Sequence, residues 1–179
     1  SYQFVEGRMM DDAPFLRSDM RWEVCRTVLH CPVSATTGDT QVLETVSDWT
    51  SFGGDLSVHD HESETLGRTM RFAVFEPPQT DEEPVPVLWY LSGLTCNWSN
   101  VMEKGGLQRK AAELGVMIVA PDTSPRGDGV ADDDAYDLGQ GAGFYLTATQ
   151  DPWAKHYKMD QYIMEELPSV IRSNFAADM

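Results

Sequence analysis

Cysteine is scarce and poorly spaced for a structural role. Cys25, Cys31 and Cys96 are an odd number with no C-x-x-C pair. Neither a disulfide framework nor a zinc cage follows, and a reducing, cytoplasmic setting is expected. Basic side chains are also few: 13 Lys and Arg stand against 29 Asp and Glu, a formal net charge of -16 that four histidines cannot reverse. That balance argues against a nucleic-acid surface and against an anionic membrane. Long apolar runs are missing, since residues 85–91 and 116–120 are far too short to span a bilayer. No basic segment followed by an apolar stretch precedes Met20, so nothing reads as a secretory signal.

What remains suits one soluble globular domain. The chain has 179 residues, 41% of them hydrophobic, enough for one core and too many for disorder throughout. Residues 1–48 show no sustained period and read as an extension of unknown structure, with residues 22–29 either a short helix or an edge strand and Thr36, Thr37 and Gly38 in a loop. Residues 49–179 carry the readable pattern.

Apolar and polar residues alternate over 55–61 and 69–75, which predicts two adjacent strands joined by a polar turn at 62–67. Pro77 and Pro78 end the second, and the acidic residues 81–83 form a solvated loop. The nearly continuous apolar text at 85–91 predicts a central strand buried on both faces. Asn100 with Glu103 reads as a capping box for one helix that runs through Leu107, Ala111 and Leu114 to Gly115 at its C′ position. Residues 116–120 form another buried strand, so β, α, β implies a parallel pair and an α/β fold class. Residues 121–153 are irregular and rich in Gly and Asp, as functional loops are. Met159, Tyr162, Ile163, Leu167, Val170 and Ile171 then recur at helical spacing, with a bend expected at Pro168.

Several residues invite a chemistry that the pattern does not sustain. His59 and His61 share one face of a strand, yet no third ligand has the right spacing, so exposed strand polarity is expected and a metal site is not. Asp128, Asp132, Asp133, Asp134 and Asp137 do not match a calcium loop, and Gly139, Gly141 and Gly143 lack the lysine of a phosphate loop. The segment Leu91-Ser92-Gly93-Leu94-Thr95-Cys96 is different. It leaves the central strand just before a helix, where α/β sheets place binding loops, and Gly93 would allow a sharp turn that points amides outward. Such amides could form an oxyanion hole, or the segment could be a plain strand-to-helix turn.

Three motifs taken together, Trp89-Tyr90-Leu91-Ser92-Gly93-Leu94-Thr95-Cys96, Ala120-Pro121-Asp122-Thr123-Ser124-Pro125-Arg126 and Gly139-Gln140-Gly141-Ala142-Gly143-Phe144-Tyr145, closely resemble the S-formylglutathione hydrolase (esterase D) family. The similarity runs from about residue 51 to 175. It implies an α/β-hydrolase fold and a cofactor-free serine thioesterase that closes glutathione-dependent formaldehyde detoxification, cytoplasmic and homodimeric. Its substrate is a small thioester, with no nucleic-acid or membrane partner. The resemblance places an oxyanion-hole N–H at Leu94, with Gly93 and Cys96 near the active site and Gly143, Phe144, Tyr145 and Trp153 as pocket candidates.

The nucleophile elbow G-x-S-x-G, which the family spells G-H-S-M-G-G, does not occur in the 179 residues. The expected fold is therefore truncated before the elbow strand, with Ser, Asp and His all beyond Met179, and this chain alone is expected to be inactive. His30, His59, His61 and His156 do not replace the triad histidine. The alternative function is a non-catalytic α/β scaffold or interaction module.

Overall fold

The computed structural model describes residues 42–179. Six strands form one sheet in the order β1-β2-β3-β5-β4-β6. Strands β1 (Glu44–Ser51), β2 (Gly54–Ser63) and β3 (Arg68–Glu76) are an antiparallel meander, and β3 continues antiparallel onto β5 (Met117–Pro121). Strand β4 (Val85–Trp89) runs parallel to β5 and, on its other side, meets the two-residue β6 (Ala177–Asp178) only at Val85 and Pro86.

The period-2 alternation of the strands sorts the core into two layers. Phe72 and Val74 of β3 with Met117 and Val119 of β5 face Met159, Tyr162, Leu167 and Ile171. Their neighbours Ala73, Phe75, Ile118 and Ala120 face Val101, Met102 and Ala111 on the opposite side. With helices on both faces, every residue of β5 is buried, which is why its text has no polar alternation.

The predicted hairpin at 55–61 and 69–75 forms, longer at both ends. The strand at 116–120 forms one residue later. Strand β1 had no counterpart in the sequence reading, and the expected division between residues 48 and 49 falls inside it. The predictions for residues 22–29 and 36–38 lie outside the described residues.

Four expectations need correction. The single helix is two, α1 (Trp98–Lys104) and α2 (Gln108–Leu114), because Gly105 and Gly106 interrupt it, Gly106 at φ 64°. Its capping box begins three residues earlier: Asn97 is the N-cap, and Asn100 supplies the reciprocal bond in place of Glu103. Strand β4 ends at Trp89 and is not buried on both faces, since Leu88 is 47% exposed. Val87 and Trp89 pack on the core, but neither α1 nor α2 reaches over Leu88. Finally, His59 and His61 are not exposed strand polarity; both are buried among Phe72, Phe175 and Tyr162. His59 pairs with Ser57 Oγ at 2.8 Å and His61 Nε2 with Tyr162 Oη at 2.9 Å. Burial pushes both imidazoles below their ordinary pKa.

The C-terminal helical layer is α3 (Met159–Gln161), a π turn at Tyr162–Glu166 and α4 (Leu167–Asn174). The π turn lies immediately before Pro168, where a proline ring and missing N–H disrupt the i→i−4 ladder. Its last residue, Glu166, ties the layer to the β2–β3 turn by accepting from Ser63 Oγ at 2.7 Å, Glu64 N–H at 2.8 Å and Thr65 N–H at 3.2 Å. Burial pushes this carboxyl up, but those donors together outweigh burial and hold it below its ordinary pKa. A depressed carboxylate pKa stabilises the fold above the unfolded-state value and loses that contribution as pH falls through the folded-state value. Glu166→Gln should therefore cost about 1–3 kcal/mol at neutral pH, with the gap to wild type closing in acid below the carboxylate range. Urea titrations at the two pH values measure it, and a gap that does not depend on pH would contradict the charge-assisted bonds.

Candidate active site

The site is built where β4 and β5 end. Beyond β4, Tyr90 N–H still donates to Val119 O at 2.9 Å, and the chain then turns through residues 92–96 toward α1. Cys96 N–H donates to Gly93 O at 3.1 Å and Thr95 N–H to Gly141 O at 2.8 Å. The amide just before them, Leu94 N–H, donates to no acceptor among the described residues. The left-handed residue of this turn is Thr95, at φ 62°, and not Gly93.

Beyond β5, Asp122 receives Arg126 Nε on both oxygens at 3.0 and 3.1 Å, and the Thr123 N–H at 2.7 Å. Burial nevertheless pushes the Asp122 carboxyl above its ordinary pKa against the pull of Arg126. Arg126 Nη2 continues to Cys96 O at 3.0 Å, where Thr123 Oγ1 also donates at 2.6 Å. Ser124 Oγ accepts the Gly141 N–H at 2.7 Å. The strand end thus grips both the turn at 92–96 and the glycine loop at 139–143.

That loop lies directly on the turn. Gly143 has φ 70°, and a Cβ there would stand 3.1–3.2 Å from Gly93 C, Gly93 O and Leu94 N. Beside it opens a cavity of about 300 Å³, walled by Leu138, Ala142, Gly143, Phe144, Leu146 and Trp153 among others. Trp153 is braced edge-on by Tyr157 at 5.5 Å, and Tyr157 donates to Ala131 O at 2.6 Å. Burial pushes the Tyr157 phenol up to about 12, so it remains a neutral donor.

Of the residues singled out from the sequence, Gly143, Phe144 and Trp153 share this cavity, and Gly93 and Leu94 adjoin it through Gly143. Tyr145 is not among the wall residues; its hydroxyl donates to Ser92 O at 2.7 Å. Burial pushes its phenol far up, so it too is a neutral donor, bracing the strand end. Cys96 is a free thiol, half-buried, two residues past Leu94. In the acidic loop, Asp132 accepts from Asp133 N–H and Gln140 N–H and so supports the glycine loop. Among the described residues no group of three or more His, Cys, Asp or Glu could hold a metal, and no helix is long and apolar enough to cross a membrane. Sequence reasoning assigned no role to Asp122, Thr123, Ser124 and Arg126, although the i, i+4 spacing of Asp122 and Arg126 was a visible sign of a pair.

A sheet in which β4 runs parallel to both β5 and β6, with helices on both faces and a strand-end turn whose Leu94 amide has no acceptor among the described residues, is part of an α/β-hydrolase core. The chain belongs to the esterase family, whose model matches residues 63–179. It is 53% identical over 139 residues to S-formylglutathione hydrolase of Paracoccus denitrificans (strain Pd 1222), covering 78% of this chain and 50% of that protein. Among solved structures, it resembles S-formylglutathione hydrolase from Agrobacterium tumefaciens with a TM-score of 0.74 and 54% identity, over 75% of this chain and 49% of the other. A ferulic acid esterase at 15% identity, with a TM-score of 0.53 over 70% of this chain and 44% of its own, shares the fold. The chain spans about half the length of these relatives.

Proposed function

We propose that this chain supplies the oxyanion-binding portion of a serine thioesterase that splits S-formylglutathione into glutathione and formate. The observation that carries the reading is the Leu94 amide, which donates to no acceptor among the described residues and lies against Gly143 at the cavity, while the next two amides of the turn, Thr95 and Cys96, are engaged. Backbone amides held in this way bind the negative charge that develops on a carbonyl oxygen during acyl transfer, with no reorganisation at the moment of reaction.

In the proposed reaction a serine hydroxyl adds to the formyl carbon as a histidine takes its proton, and the carbonyl oxygen becomes an oxyanion bound by Leu94 N–H. Collapse breaks the C–S bond, and the histidine returns the proton to the glutathione sulfur. Water then cleaves the formyl-serine ester to formate by the same steps. Serine, histidine and the orienting aspartate must come from chain outside these 179 residues, which contain no elbow. No cofactor is needed. A formyl group uses little of the cavity, leaving its apolar wall for the thiol side of the substrate. We assign the complete protein to the cytoplasm as a homodimer that closes glutathione-dependent formaldehyde removal, a setting that its resemblance supports.

The test joins this chain to the part of the Paracoccus relative that it does not cover. The joined protein should release glutathione from S-formylglutathione in a manner that depends on the elbow serine. Hydrolysis of a simple phenyl ester without thioester turnover would overturn the substrate assignment. A folded protein that cleaves neither would favour a non-catalytic scaffold.

A further inference from the structure

The turn that presents Leu94 is strained, and the group that holds it is distant in sequence. Thr95 is β-branched and sits at φ 62°, where its Cβ crowds the backbone. A residue in that region persists only where its surroundings over-determine it. Two sets of bonds do so here. On one side Thr95 N–H is held by Gly141 O at 2.8 Å. On the other, Cys96 O receives both Thr123 Oγ1 at 2.6 Å and Arg126 Nη2 at 3.0 Å.

Arg126 is common to every part of this arrangement. Its Nε grips Asp122, its Nη2 reaches Thr123 Oγ1 at 3.2 Å as well as Cys96 O, and its guanidinium lies under Gly141, 3.2–3.6 Å from where a Cβ would stand. It therefore links the end of β5, the strained turn and the loop that accepts from Thr95. We propose that Arg126 is a positioning residue that locks residues 94–96 in the strained conformation and so aims the Leu94 amide at the substrate carbonyl. The catalytic consequence rests on the thioesterase reading; the conformational one does not. Lysine cannot substitute, because one ammonium lacks the planar fork that serves Asp122 and Cys96 O together.

Two measurements test this. In the joined protein, Arg126→Lys and Arg126→Met should lower kcat by about 100-fold, the scale of a misplaced catalytic group, with KM near its starting value. Adding Thr95→Gly to Arg126→Met should recover most of that loss, because glycine adopts the left-handed turn without strain. In the 179-residue chain, Arg126→Met should speed hydrogen exchange at the Thr95 amide by about 10-fold or more, and Thr95→Gly should restore the slow exchange of that same amide. A loss that appears in KM, a loss that glycine does not rescue, or unchanged exchange would each overturn the inference. If the unmodified joined protein is inactive, the thioesterase reading fails, and exchange alone decides the role of Arg126.

Discussion

Produced by itself, the 179-residue chain should release glutathione from S-formylglutathione no faster than buffer does, and it should self-associate. The first result follows from chemistry. An oxyanion donor stabilises charge only after a nucleophile has attacked, and no serine here lies in an elbow. Losing a triad nucleophile costs roughly a million-fold in kcat in enzymes of this type. The second follows from β4. On its outer side only Val85 and Pro86 are paired, so the backbone groups beyond them have no strand partner among the described residues. Leu88, Tyr90, Leu91 and Leu94 are all exposed there, and residues 85–94 carry no charge. An open apolar edge recruits other chains. The charge of -16 opposes contact, but only over about 8 Å at physiological ionic strength, so added salt should strengthen association. Light scattering across a salt series measures this, and Leu88→Asp should shift the population toward monomer. A monomer at every salt concentration would defeat the edge argument, and turnover that needs no added serine would defeat the chemical one.

The fold was legible wherever a local pattern reported a local environment. Leu56 and Val58 alternate with Asp55 and Ser57 because successive residues of a strand face opposite sides, and Phe72 to Phe75 and β5 are uniformly apolar because helices cover both faces there. The failures lie where burial is decided far along the chain. His59 and His61 read as surface polarity because the Tyr162 hydroxyl that pairs with His61 Nε2 is 101 residues away. Leu88 read as core because an apolar run cannot say whether a helix will stand over it. Strand β1 was unreadable because its residues are mostly exposed, so no hydrophobic period marks it and backbone pairing with β2 alone defines it.

The site divides in the same way. Gly143, Phe144 and Trp153 came from resemblance and share a cavity, but Tyr145, next in line, instead donates its hydroxyl to Ser92 O, a partner 53 residues away that the local text cannot show. The role of Arg126 needs three segments in one place at once. Its sequence signal, an acid four residues before a base, is the same as that of many inconsequential surface pairs.

Gly143→Ala should be the most damaging single methyl in the site. At φ 70° any residue with a Cβ pays a backbone cost, of order 1–2 kcal/mol. Here the methyl would also press on Gly93 C, Gly93 O and Leu94 N at 3.1–3.2 Å, and these are peptide atoms that cannot swing aside. Relief requires the glycine loop to lift or the turn to shift, and either moves the Leu94 amide relative to the substrate carbonyl. In the joined protein kcat should fall by about 100-fold or more, the range seen when one oxyanion donor is lost. Gly129 provides the control. Its φ of 82° carries a comparable backbone cost, but its methyl would meet nothing within 4 Å. Gly129→Ala should therefore destabilise to a similar degree and reduce kcat less. Thermal melts and steady-state kinetics on the two variants separate strain from displacement. Equal losses of kcat would mean that the contact between Gly143 and the Leu94 peptide does not set the oxyanion geometry.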